Sequence, residues 1–154
     1  MCYYLGRKLK NKKNVYERST SYRRNFLNYY HGVFNSGIYH CSYCGKLIKP
    51  ENMTVDHLIP VNKVKYFGIA RLLMKIKGIN DINDVKNLIP SCPKCNSRKS
   101  DKMGFWIIKG EIGRHFGYWI FHWSLWLAAL LILIYEYHSE IISFLTVSLP
   151  DFFS

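Results

Sequence analysis

The chain has 154 residues, enough for one domain with an appendage, and its formal net charge is +12. A positive surplus of that size favours a polyanionic partner, either nucleic acid or anionic lipid. The sequence has no internal repeat and no low-complexity segment, which excludes a repeat protein, and residues 1–20 lack the apolar core of a secretory signal.

The N-terminal part is basic and polar, and residues 1–19 are predicted to be a flexible segment. A helix is predicted to begin near Thr20 or Ser21, to run through "YRRNFLNYYHGVF" and to end at the turn signal "NSG". Its aromatic residues are predicted to form one stripe that packs against the domain core: Phe26, Tyr29, Tyr30 and Phe34.

The next two segments carry polar residues in short apolar runs. "GIYHCSYCGKLI" predicts a short hairpin around a turn that contains Cys41 and Cys44. "MTVDHLIPV" predicts a strand that stops at Pro60, and alternation places Asp56 and His57 on its opposite faces. An acid and an imidazole at the end of a half-buried strand are costly, so both need a structural or a chemical reason.

Residues 62–80 predict a basic helix followed by a glycine-containing turn, and "DINDVKNLIPSC" leads the chain back. "CPKCNSRKSDK" then predicts the start of a helix with a second cysteine pair at its N-terminal end. The basic residues of 62–80 could follow a nucleic-acid backbone, although solubility explains them nearly as well.

The two C-x-x-C pairs predict a structural zinc site formed by Cys41, Cys44, Cys92 and Cys95. A two-residue spacing lets both thiolates of a turn reach one tetrahedral ion, and the 47 residues between the pairs would then be clamped. The alternatives are a redox C-x-x-C or unrelated buried cysteines. Because four sulfur ligands close the zinc site, the chemistry must lie elsewhere.

The C-terminal part differs in composition, since residues 1–115 hold all 22 Lys and Arg and seven of the ten acids. Residues 116–137 predict a transmembrane helix, followed by a short apolar tail, residues 138–154. Positive charge before the span and acids after it predict a membrane-associated protein whose basic body is cytoplasmic. The alternative is a cytoplasmic protein with a long helix that covers the domain or mediates dimerisation.

The middle of the chain resembles the HNH endonuclease family. The resemblance covers residues 38–105 and consists of C-x-x-C, then D-H-x-x-P, then N-L-x-P-x-C-x-x-C-N-x-x-K-S-D-K, in that order. It implies an α+β protein in which a small ββα-metal nuclease domain, residues 20–112, is clamped by the four-cysteine zinc site. An N-terminal helix precedes this domain and the apolar helix follows it.

Carried over by position, the resemblance makes His57 the general base and Asp56 a ligand of a catalytic divalent ion. Asn87 matches the family's middle asparagine, which braces the loop between the two strands and holds the histidine. Asn96 stands where many members have histidine, as in the H-N-N variant, in which an amide oxygen is the second ligand. A carboxylate and an amide favour Mg²⁺ or Mn²⁺ over softer metals.

These assignments also suit phosphodiester hydrolysis on physical grounds. Histidine has an ordinary pKa of about 6.5, so a neutral imidazole is available as a base at neutral pH. A divalent ion would stabilise charge on the phosphate. Arg98, Lys99 and Lys102 follow Asn96, and we expect them to contact phosphates of DNA, mostly without reading base sequence.

The sequence therefore predicts a metal-dependent endonuclease that hydrolyses DNA phosphodiester bonds and is attached to a membrane by its C-terminal helix. The alternative is a non-catalytic zinc-knuckle protein that binds nucleic acid at a membrane. In that case Asp56 caps a turn, His57 is a core histidine and Asn87 and Asn96 are turn and helix-start residues. A third possibility is a small membrane protein whose basic face binds anionic headgroups.

Overall fold

The protein is an α+β chain with small antiparallel sheets, and the computed structural model describes residues 15–148. The strands in this range are β1 Tyr39–His40, β2 Leu47–Ile48, β3 Thr54–His57 and β4 Leu88–Ser91. The helices are α1 Tyr22–Tyr29, α2 Val61–Tyr66, α3 Gly68–Ile76, α4 Pro93–Lys99, α5 Phe105–Gly113 and α6 Phe116–Ser148.

β1 and β2 form the predicted hairpin, with Tyr39 opposite Ile48 and His40 opposite Leu47. The turn between them carries the first cysteine pair. It closes with the amide of Gly45 donating to the carbonyl of Cys41 at 2.8 Å. Gly45 has a φ of +74°, a left-handed conformation that glycine adopts without strain.

β3 and β4 form a second antiparallel sheet, and α4 follows β4 directly. The register pairs Asp56 with Ile89 and His57 with Leu88. The predicted strand thus ends at His57 and not at Pro60. Beyond it the amide of Leu58 still donates to the carbonyl of Asn87 at 2.7 Å, after which the chain turns into α2.

The predicted basic helix is divided into α2 and α3. Phe67 between them is extended, with φ −118° and ψ 123°, and Gly68 begins the second helix. The inward sides of both helices form an aliphatic core with the loop after them, and its buried members include Val64, Ala70 and Ile82.

A second core packs α1 and the hairpin against the β3–β4 sheet, with Phe26, Tyr43, Leu58 and Ile89 among its buried residues. α5 lies close to this core at Gly110. A β-carbon added there would lie 2.7 Å from Cδ1 of Leu58 and 3.0 Å from Cδ1 of Ile89. A larger residue at 110 would therefore have to displace these side chains.

The N-terminal predictions need two corrections. Residues 15–19 belong to the folded body, because Val15 accepts a hydrogen bond from the amide of Ile82 and the amide of Ser19 donates to Asn83.

The predicted aromatic stripe is also wrong in part. α1 ends at Tyr29, so Phe34 lies outside the helix, at φ +51°, and its side chain is exposed, as is that of Tyr29. Residues 1–14 of the predicted flexible segment lie outside the described residues.

The chain divides into two compact units after Arg114, two residues beyond the predicted end of the domain at 112. The second unit contains α6, and its stretch Phe116–Glu140 is long and apolar enough to cross a membrane, with a mean hydropathy of 1.7. The helix continues to Ser148, so the segment from 138 is not a separate tail as far as it is described. Neither glycine nor proline occurs between 118 and 149 to end the helix earlier.

Candidate functional site

The four predicted zinc ligands lie together. The sulfur atoms of Cys41, Cys44, Cys92 and Cys95 are all within 4.8 Å of one another, an arrangement that fits a structural metal ion such as zinc. Burial raises the pKa of the Cys41 thiol to about 12, so the cluster would release protons when a metal binds. The site joins the β1–β2 hairpin to the start of α4.

A polar cavity of about 240 Å³ lies where the end of β3 meets α4. Three predicted functional residues line it: Asp56, His57 and Asn96. The remaining lining residues are Arg18, Pro60, Val61, Asn62, Ser100 and Asp101. The folded chain thus brings residues 40 positions apart in sequence to one small, mostly polar space.

Asp56 is 8% exposed, and one of its oxygens is bound twice. Oδ2 accepts a hydrogen bond of 2.7 Å from the Tyr43 hydroxyl and lies 3.0 Å from Nζ of Lys99. Burial, followed by the charge of Asp56, raises the pKa of Tyr43, which therefore remains a donor. Among the described residues, none donates a hydrogen bond to the other oxygen, Oδ1.

The ring of His57 is buried, and the acceptor beside Nε2 favours one tautomer. Nε2 lies 3.4 Å from Oδ1 of Asn83, whose amide nitrogen already donates to Glu17 and Asp81. Because Oδ1 of Asn83 can only accept, Nε2 carries the proton and Nδ1 the lone pair. Nδ1 is buried and has no hydrogen-bond partner among the described residues.

The charge state of His57 follows from its surroundings. Burial lowers the pKa of the imidazole to about 4, opposed by the hydrogen bond to Asn83. The ring of Tyr22 packs against it with 5.0 Å between centroids. The imidazole is therefore neutral at neutral pH, as a general base must be.

The side chain of Asn87 is held by three hydrogen bonds to the backbone. Its side chain is fully buried, its Oδ1 accepts from the amide of Ile59 at 2.9 Å, and its Nδ2 donates to the carbonyls of Ile59 and Ile82. These bonds fix the backbone two residues after His57. Asn87 is not among the residues that line the cavity, so its contribution is to position the loop.

Lys99 does not occupy the surface position predicted for it. Its side chain is fully buried, and Nζ donates to the carbonyl of His57 at 2.7 Å besides pairing with Asp56. Asn96 and Lys99 share a face of α4 because they are three residues apart, but that face is directed inward. A phosphate cannot reach this ammonium group. Arg98 and Lys102 are exposed.

Four residues around the cavity were not predicted from the sequence. Tyr43 and Asn83 hold Asp56 and His57, while Arg18 and Tyr22 approach from the N-terminal part, with the Arg18 guanidinium 5.6 Å from the centroid of the Tyr22 ring. For Tyr43 the sequence contains one signal, since this residue stands between Cys41 and Cys44 and therefore lies next to the cysteine cluster. The other three contacts join distant parts of the chain, for which the sequence contains no signal.

A larger groove in the body, about 540 Å³, lies beside β2 and contains none of the predicted catalytic residues. Its lining includes Leu47, Met53 and Pro93. In comparisons with known proteins, no family model, no curated protein and no solved structure matches the chain.

Proposed function

We propose that the protein is a metal-dependent endonuclease of the HNH type that hydrolyses phosphodiester bonds of DNA. The observation that carries this proposal is that Asp56, His57 and Asn96 line one polar cavity. A base, a carboxylate and an amide around one space are the groups that hydrolysis of a phosphodiester needs.

His57 is the proposed general base. Nε2 is committed to Asn83, so Nδ1 would take the proton from the attacking water. A buried lone pair that the fold does not use is unusual in a structural histidine, whose polar atoms are normally satisfied. Asn87 holds the backbone at Ile59 and so keeps the imidazole in position.

Asp56 and Asn96 would hold the divalent ion, Mg²⁺ or Mn²⁺. The donor set fits, because Oδ1 of Asp56 and the amide oxygen of Asn96 are hard oxygen ligands at one cavity, and water and phosphate can complete the shell. Tyr43 and Lys99 occupy only Oδ2 and keep the carboxylate in one orientation. When bound, the ion would stabilise negative charge that develops on the phosphate.

The proposed substrate is DNA because the body is strongly basic and exposes two basic residues after Asn96. Arg98 lies on α4, and Lys102 lies three residues beyond its end. Such contacts are made to phosphates, so binding should be salt-sensitive and largely independent of base sequence. We further propose that α6 attaches the enzyme to a membrane and that the nuclease body is cytoplasmic.

A plasmid-nicking assay on the zinc-loaded full chain in mild detergent tests the activity. The wild type should nick with Mg²⁺ or Mn²⁺ and stop when EDTA is added. His57→Ala should lower the rate by about 10²–10⁴-fold, the usual contribution of a general base, while zinc content and DNA affinity stay the same. His31→Ala, a change at an exposed histidine that does not line the cavity, is the matched control and should cleave normally.

One observation favours a second candidate function, a non-catalytic zinc-knuckle protein that binds nucleic acid. Lys99 already neutralises Asp56 within the fold, as in a purely structural ion pair. In that case the wild type would bind DNA without cleaving it under any of these metal conditions, and that result would end the nuclease proposal. Loss of zinc and of folding in His57→Ala would point the same way.

A further inference from the structure

α3 has an apolar outer side that nothing in the described chain covers. Its inward residues Ala70 and Met74 are buried, whereas Ile69, Leu72 and Ile76 are 59%, 50% and 70% exposed. These three, the α3 stripe, are spaced i, i+3 and i+7, so they form one continuous line on the helix. A single exposed aliphatic residue is ordinary, but a continuous line of them marks a contact surface.

The apolar surface extends towards α5. Nζ of Lys77, directly after α3, lies 2.9 Å from Oε2 of Glu111 on α5, so the two helices are neighbours. Ile108 is three residues before Glu111 and lies on the same side of α5. It is one of three exposed residues at the same i, i+3 and i+7 spacing on α5: Phe105, Ile108 and Ile112.

The charged residues of the segment that carries the α3 stripe have one sign. Residues 61–80 contain five basic residues and no acidic residue. Lys63 and Lys77 are already paired with acids outside this segment. Arg71 donates to backbone carbonyls of α2. Lys65 on α2 and Lys75 on α3 have no acidic partner among the described residues, so both can meet a ligand.

This combination fits a bilayer better than a nucleic acid. Phosphate contacts would leave the aliphatic side chains in water. Two lysines without an acidic partner in the described part of the chain are also few to neutralise the phosphates of a duplex. A helix with aliphatic residues on one side and lysines beside them is typical of helices that lie in the headgroup region of anionic membranes.

We infer that the α3 stripe, with Lys65 and Lys75, docks the folded body on the surface of an anionic bilayer. Docking needs no cleavage and does not depend on the proposed nuclease activity. The same chain carries a helix long and apolar enough to cross a membrane, which begins three residues after α5 ends. The surface would thus add a second, peripheral contact with lipid.

Quenching by brominated acyl chains tests this docking on the full chain in vesicles. Leu72→Trp should lose roughly half of its added fluorescence in phosphatidylcholine vesicles that contain phosphatidylglycerol, since interfacial helices lie about 5–10 Å deep. Leu47→Trp is the matched control, because Leu47 is 51% exposed but lies outside the stripe. The unmodified chain gives the signal of the native tryptophans to subtract.

The added tryptophan at 72 should be much less quenched in pure phosphatidylcholine, or when Lys65→Gln and Lys75→Gln are combined with it. Equal quenching at 47 and 72, or none at either, would overturn the proposal. The proposal would also be overturned if, in neutral vesicles, the tryptophan at 72 became shielded from water as the protein-to-lipid ratio rose. This result would show that a second copy of the chain covers the stripe. Shielding caused by added DNA alone would assign the surface to nucleic acid.

Discussion

At the scale of single residues, the candidate site depends on a buried pair of opposite charges. Lys99 is completely enclosed, and burial lowers the pKa of its ammonium group while the charge of Asp56 opposes this effect. Such a pair need not add net stability compared with apolar residues. Breaking it, however, leaves a charge without a partner in a dry environment.

Lys99→Met should therefore destabilise the protein by about 3–5 kcal/mol, because Asp56 keeps its buried charge with only Tyr43 as a donor. The double variant Lys99→Met with Asp56→Asn should lose less than the sum of the two single changes, with a coupling of about 1–3 kcal/mol. Urea unfolding of the zinc-loaded full chain in detergent measures these free energies.

Lys102→Met provides the comparison for this pair, since Lys102 is exposed three residues further along, and it should change stability by about 0.5 kcal/mol or less. If Lys99→Met were equally harmless, the ion pair would not organise the site.

At the scale of elements, the cysteine cluster connects two segments whose own structure is slight. β1 and β2 have two residues each, and α4 has seven, so local propensity alone cannot hold them. A metal held by both cysteine pairs would supply the missing free energy, which for structural zinc in small domains is on the order of 10 kcal/mol.

Cys92→Ser should abolish tight zinc binding, from one ion per chain to nearly none, and loosen the hairpin and α4 together. Metal analysis and amide hydrogen exchange of both segments measure this. Cys2→Ser changes the one cysteine outside the two C-x-x-C pairs and should keep the zinc. A Cys92→Ser chain with unchanged exchange in the hairpin would show that the cluster is not what joins the two elements.

Elements were easier to predict than side-chain contacts. Alternation and cysteine spacing gave the hairpin, the strand with Asp56, and α4, because these are signals of local sequence. The break at Phe67 was missed because a glycine alone does not show where a helix divides. The inward direction of Lys99 was missed for another reason: a lysine is almost never fully buried, and its partner lies 43 residues earlier.

At the scale of the whole molecule, the chain has a basic body and a helix whose apolar stretch is almost entirely exposed, with 6% of it buried. A core helix of a soluble protein would bury such a surface. Extraction separates the possibilities, because a spanning helix resists both high salt and alkaline carbonate, whereas a body held by charge is released by salt.

We expect the wild type to stay in the membrane under both treatments. Leu127→Arg with Leu131→Arg should release it, since each arginine near the centre of a span costs about 2.5–3.5 kcal/mol. Leu47→Arg adds one arginine to the body instead of the helix and should leave attachment unchanged. If the body is cytoplasmic and α6 spans the membrane, the C-terminus lies in the periplasm. A C-terminal reporter that works only in the periplasm should then be active. Wild type released by carbonate, with a silent reporter, would instead make α6 a helix that another protein surface covers.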